Sequence, residues 1–184
     1  MKSISVFGGA ETKPGERAYQ EAYQLGVLLG KAGYTIYNGG YMGVMEAVSR
    51  GAAEWGGHVI GVTCDEVEAW RPASPNPWLT EEYRCATLRQ RLFTLIDCCN
   101  AGVVFPGGIG TLGELAVMWS QLQIGAIPPC PLIVVGREWK IVLETFYEQL
   151  GQFVNEKQRH WLIYCDDSNC AFQYIEKALI TAEN

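Results

Sequence analysis

Short apolar runs alternate along this chain with longer stretches whose hydrophobic residues recur every three or four positions. Ile4-Ser-Val-Phe7, Tyr34-Thr-Ile-Tyr37, Val59-Ile-Gly-Val62, Ala101-Gly-Val-Val-Phe105 and Pro131-Leu-Ile-Val-Val135 are brief and rich in β-branched residues, as strands buried on both faces should be. A further short strand is predicted near Trp161 to Tyr164. Helical spacing links Ala18, Ala22, Leu25 and Leu29, with Gly33 as the cap, and then Val44, Ala47, Val48 and Ala52. The same spacing predicts a helix from about Leu88 to Cys99, and others through Leu115, Met118, Trp119 and Leu122, through Trp139, Val142, Leu143, Phe146 and Leu150, and through Phe172, Ile175 and Leu179. The alternation predicts an α/β fold in which residues 1–184 form a single domain, a mostly parallel sheet with helices on both faces.

Three of the strand-to-helix turns are rich in glycine. Gly8-Gly9-Ala10 follows the first strand, Asn38-Gly39-Gly40-Tyr41-Met42-Gly43-Val44-Met45 the second, and Pro106-Gly107-Gly108-Ile109-Gly110-Thr111-Leu112-Gly113-Glu114 the strand at Ala101. Such turns fall at the carboxyl ends of strands, where open α/β sheets bind ligands. A glycine-rich turn that opens a helix also presents unpaired backbone N–H groups at the positive end of the helix dipole, which suits phosphate. Glu114 lies one helical turn inside this anion site. Thr111-Leu-Gly-Glu114 fits a capping box, which would give the glutamate a purely structural task, yet Gly107, Gly108 and Gly110 exceed what a helix start needs. Upstream, Arg89 and Arg91 lie near the start of the helix at Leu88, opposite the end where the dipole favours cations. Arginines on helix surfaces are usually solvated, but this helix runs into the strand that feeds the loop, so its first turn is expected at the rim, where a guanidinium could bind phosphate or a ribose oxygen.

Composition narrows the function classes. A net charge of −6 argues against non-specific nucleic-acid binding, and no segment approaches the length of a membrane span. The first residues are too briefly apolar for a signal peptide, so a cytoplasmic location is expected. Seven cysteines, at 64, 85, 98, 99, 130, 165 and 170, lack C-x-x-C spacing and read as free thiols, with Cys98-Cys99 in the core. Only two histidines exist, so no histidine-rich metal site is expected. Trp70-Arg-Pro-Ala-Ser-Pro-Asn-Pro-Trp78 suits a loop over a base or at a subunit interface, and equally a rigid surface connection. Six tryptophans, together with Met118, Trp119 and Leu122, suggest more apolar surface than one sheet layer covers, hence a homodimer or higher homo-oligomer.

The run Pro106-Gly-Gly-x-Gly-Thr-x-x-Glu114, preceded by Arg91 and by Gly39-Gly-x-x-Gly-x-Met45, resembles the LONELY GUY family of phosphoribohydrolases, often mislabelled as lysine decarboxylases. The likeness extends over roughly residues 4 to 135 and includes Gly56-Gly-His-Val-Ile-Gly-Val62. It implies a Rossmann-like, usually dimeric protein that hydrolyses the N-glycosidic bond of a nucleoside 5′-monophosphate, here a purine nucleotide that can include an N6-modified base, with Arg91 and Glu114 as the catalytic pair. It implies no metal and no organic cofactor. The glycines at 8, 9, 39, 40, 43, 107, 108 and 110, with Met45 and Thr111, would bind the nucleotide. The chain departs from the family at Leu92, where a lysine is usual, and at Ala10-Glu11, where serines are. The alternative reading is a non-catalytic nucleotide or molybdenum-cofactor carrier, whose pterin phosphate the same cradle would suit. Independently of family, a fixed carboxylate at Glu114 would stabilise the oxocarbenium-like state of ribosyl cleavage, which explains an acid beside a phosphate loop.

Overall fold

The computed structural model describes residues 2–181. Seven strands, β1 (Ser3–Phe7), β2 (Thr35–Asn38), β3 (His58–Cys64), β4 (Glu81–Cys85), β5 (Ala101–Val104), β6 (Leu132–Val135) and β7 (Leu162–Cys165), form one sheet in the order β4-β3-β2-β1-β5-β6-β7. Every pairing is parallel, with Val6 opposite Val103 and Ile36 opposite Val59. The helices are α1 (Arg17–Lys31), α2 (Val44–Ala53), α3 (Asp65–Trp70), α4 (Leu88–Asp97), α5 (Ile109–Ile124), α6 (Arg137–Leu150), α7 (Glu156–Arg159) and α8 (Ser168–Thr181), with a 3₁₀ turn at Gly151–Phe153.

Period-two alternation along the strands divides the core into two layers. Ile4, Val6, Ile36, Val103 and Phe105 pack under α1, α2 and α8, whereas Phe7, Val62, Val104, Leu132 and Val134 pack under α4, α5 and α6. Gly33, at positive φ, closes α1 as its sequence position implied. The strand order reverses between β1 and β5, so the turns after these two strands diverge and leave a crevice at their carboxyl ends.

Several sequence expectations need correction. Strand β4 was not anticipated, because Glu81-Glu-Tyr-Arg-Cys85 is polar; it is an edge strand whose Arg84 pairs with Asp65 and Glu68. Cys165 and Cys170 are joined as a disulfide across the β7–α8 turn, whereas the other five cysteines are free. Cys98 is exposed at the end of α4 and only Cys99 is drawn inward, its thiol pushed up to about 11 by burial. Met118 and Leu122 face the sheet, so they supply no surface for self-association; the exposed apolar residues of α5 are Ile109, Leu112 and Ile124. Among the described residues no helix is long and apolar enough to cross a membrane.

Candidate active site

A cleft of about 690 Å³ opens where the turns after β1, β2 and β5 meet. Its floor is the start of α5. Gly108 is the N-cap and offers no side chain, so the backbone N–H groups of the first turn have neither an intrahelical partner nor a cap. A Cβ at Gly108 or Gly110 would meet nothing in the protein, which leaves this stretch of backbone bare towards the cleft. Thr111 is buried in the same turn.

The helix begins at Ile109, two residues before the threonine, so Thr111 is not its N-cap. No side chain caps α5, so the capping box does not form. Glu114 lies in the second turn, buried, with its Oε1 3.6 Å from Arg91 Nη1. Burial raises its carboxyl to about 7, and the Arg91 guanidinium opposes that rise.

Arg91 comes from the first turn of α4, where Thr87 Oγ1 accepts the Gln90 N–H at 3.1 Å and fixes the helix start. Its Nε donates to the Val62 carbonyl at 2.8 Å and its guanidinium lies 5.9 Å from the Tyr41 ring centre. Arg89 is exposed on the same helix and does not line the cleft. Gly39 makes room for Arg91: a Cβ there would fall 1.8 Å from Nη2.

Ten of the twelve residues singled out by sequence line this one cleft: Gly8, Gly9, Gly39, Met45, Arg91, Gly107, Gly108, Gly110, Thr111 and Glu114. Gly40 and Gly43 do not. They shape the turn behind it, Gly40 by accepting the Asn76 N–H at 2.8 Å and Gly43 by adopting φ 72°, so that the Val44 N–H reaches the Gly9 carbonyl. Sequence reasoning missed Tyr41, Val67 and Arg71 in the cleft wall, and Glu11, noted only as a departure, pairs with Arg71 at 2.7 Å across its mouth. The Trp70–Trp78 segment carried a usable signal. Asn76, between two prolines, is buried and donates to the carbonyls of Gly40 and Tyr41, which pins the loop to the second glycine turn, while Trp70, the last residue of α3, lines the cleft.

The family model described as "Possible lysine decarboxylase" matches residues 45–175. A cytokinin riboside 5′-monophosphate phosphoribohydrolase of Arabidopsis thaliana is 34% identical over 162 residues, covering 85% of this chain and 68% of the relative. A protein of that same name from Rhodococcoides fascians is 27% identical, covering 90% of this chain and 85% of its own. The pyrimidine/purine nucleotide 5′-monophosphate nucleosidase of Escherichia coli K12 is 28% identical over 89% of this chain, which spans only 38% of that longer protein. Among solved structures, the molybdenum cofactor binding protein of Rippkaea orientalis aligns with a TM-score of 0.74 at 20% identity, covering 99% of this chain and 96% of that one, a likeness of fold.

Proposed function

We propose, for a chain that belongs to the LONELY GUY family, that it hydrolyses the N-glycosidic bond of a purine nucleoside 5′-monophosphate, N6-substituted bases included, to give the free base and ribose 5-phosphate. The observation that carries this reading is the buried Glu114 carboxylate facing Arg91 in the cleft that also receives the uncapped start of α5. The 5′-phosphate is held by the first-turn N–H groups and the Thr111 hydroxyl, which anchors the ribose against the carboxylate one turn further on. As the bond from C1′ to the base nitrogen breaks, its electron pair leaves with the base, which takes up a proton from solvent, and positive charge builds on the ribose. Glu114 stabilises that charge and accepts the proton of the water that adds to C1′. A carboxyl near 7 suits it to take a proton at neutral pH. Arg91 favours the ionised form of Glu114 against the effect of burial and orients the carboxylate.

The names of the relatives support this substrate class. Amino-acid decarboxylation through pyridoxal phosphate would need a Schiff-base lysine, and among the described residues no lysine lines the cleft. The paired Arg91 and Glu114 also favour an enzyme over a carrier, which has no use for a buried carboxylate beside an anion. We infer a cytoplasmic homodimer, supported by the five free thiols and by the exposed Ile109 and Leu112 beside the cleft. The test is incubation with a panel of nucleoside monophosphates and the matching nucleosides, scored for ribose 5-phosphate and, by calorimetry, for binding. Hydrolysis of a monophosphate but not its nucleoside is expected. Tight monophosphate binding with no hydrolysis across the panel would make the carrier the better reading.

A further inference from the structure

Tyr41 belongs to the second glycine turn and faces the guanidinium of Arg91, and nothing in the reaction sketched above uses it. It is among the largest fully enclosed side chains, 2% exposed, yet it forms part of the cleft wall. Its hydroxyl is tethered at three points: it accepts the Cys64 N–H at 2.8 Å and shares its own proton between the Cys64 carbonyl at 3.3 Å and Glu68 Oε1 at 3.2 Å. Burial holds the phenol above its ordinary pKa, so the hydroxyl stays protonated and remains a donor to these two oxygens. Glu68 is itself clamped by Arg84, whose Nη2 donates to Oε2 at 2.7 Å and whose Nε donates to Asp65 at 2.7 Å. The ring is thereby fixed to β3, α3 and β4 and cannot swing.

Arg91 needs such a wall. Among the described residues, the hydrogen bond that ties its guanidinium to the protein is the one from Nε to Val62, and at 3.6 Å its approach to Glu114 is longer than a hydrogen bond. A torsion about the Nε bond axis would carry Nη1 away from the carboxylate. The backbone at Gly39 blocks one direction, since a Cβ there would overlap Nη2, and the Tyr41 ring, 5.9 Å from the guanidinium carbon, supplies an attractive surface within cation–π range.

We propose that Tyr41 is a positioning residue for the hydrolysis, its tethered ring fixing the Arg91 guanidinium so that Nη1 stays directed at Glu114. The inference rests on the reading of Arg91 and Glu114 given above. It adds that the segment Gly39-Gly-Tyr41 orients the arginine from one side by bare backbone and from the other by an aromatic face. Glu68 and Arg84 act only through Tyr41.

The test compares Tyr41→Leu, which removes the ring face, with Tyr41→Phe, which keeps it and loses the tether, and with Glu68→Gln, whose amide oxygen still accepts the phenol's proton. With a monophosphate that the wild type hydrolyses, Tyr41→Leu should lose about 100-fold in kcat, the scale for misplacing a reacting group by about an ångström, with KM changed far less. Tyr41→Phe should lose less than a tenth of that factor, and Glu68→Gln should stay near wild type. Should the leucine variant not fold, Tyr41→Met fills the space with a chain that has no π face. A second readout needs no turnover: the Arg91 Nε–H resonance, assigned by its loss in Arg91→Lys, should exchange slowly with solvent in the wild type and in Tyr41→Phe, and much faster in Tyr41→Leu or Tyr41→Met. If the wild type hydrolyses nothing, the reaction is wrong while this resonance still decides whether Tyr41 holds Arg91. Wild-type kcat or unchanged Nε–H exchange in the variants lacking the ring overturns the proposal, as does equal loss in the leucine and phenylalanine variants.

Discussion

At Glu114 burial and charge pull in opposite directions, and the outcome sets a testable pH dependence. Removal from water raises the carboxyl to about 7, while Arg91 at 3.6 Å favours the ionised form. If the carboxylate is the active form, kcat/KM should be level above pH 7 and fall by about tenfold per unit below it, because this ratio reports the free enzyme. Glu114→Gln should lower kcat by orders of magnitude and abolish that acid limb, with little change in ground-state binding. Because no side chain caps α5, the substitution leaves the helix start untouched, so a loss of turnover cannot be laid to a lost cap. Undiminished turnover in Glu114→Gln, measured by steady-state release of ribose 5-phosphate, would remove the carboxylate from the mechanism. Arg91→Lys keeps the charge but loses the planar fork and the Nε bond to Val62, and should also cut kcat sharply.

The glycines of this chain do two different jobs at the level of elements, and substitution separates them. Helices α1 and α2 touch backbone to backbone: a Cβ on Gly26 would lie 2.2 Å from the Val48 carbonyl oxygen. Gly26→Ala should therefore force the helices apart and cost about 1–3 kcal/mol, seen as a fall in Tm of several degrees with the cleft chemistry retained. Gly108 has φ −90° and open space where its Cβ would project, so Gly108→Leu should melt like the wild type and yet bind monophosphate at least about tenfold more weakly. Calorimetric affinity equal to wild type in Gly108→Leu would show that the bare backbone there is not the phosphate site. The sequence displayed the elements that carry this argument because β5 and β6 are continuous apolar runs, β1 and β2 are short and hold apolar residues at their buried positions, and the helices that follow keep their periodicity. It concealed β4, whose partners are charged side chains on one edge, and it left Glu114 open between a cap and a catalytic role because a capping box and a helix start two residues earlier share the same letters. Tyr41 was invisible for a related reason, since its relation to Arg91 crosses fifty positions and depends on the tether to Glu68.

For the molecule as a whole, the raised carboxyl of Glu114 couples stability to pH in the direction opposite to an ordinary salt-bridged acid. Its ordinary value is 4.5 and its folded value about 7, so between these the native state binds more protons than the unfolded chain. The relative stability this confers is fully present below pH 4.5 and is lost as pH rises through 7, a change on the order of 3 kcal/mol. Glu114→Gln carries no such proton. The Tm difference between the variant and the wild type should therefore grow in favour of the variant by several degrees from pH 5 to pH 8, whatever constant offset comes from leaving Arg91 without its counter-charge. A nucleoside monophosphate should raise the Tm of the wild type through binding to the native state alone, and the matching nucleoside should do so far less. Self-association enters the same measurements, since a dimer that closes over Ile109 and Leu112 would make Tm depend on protein concentration. Sedimentation equilibrium is the direct check, and a monomer mass at all concentrations would overturn the inferred dimer. A Tm difference between Glu114→Gln and wild type that stays constant from pH 5 to pH 8 would mean that Glu114 titrates as it does in the unfolded chain, and its carboxylate would then be in contact with water rather than enclosed beside Arg91.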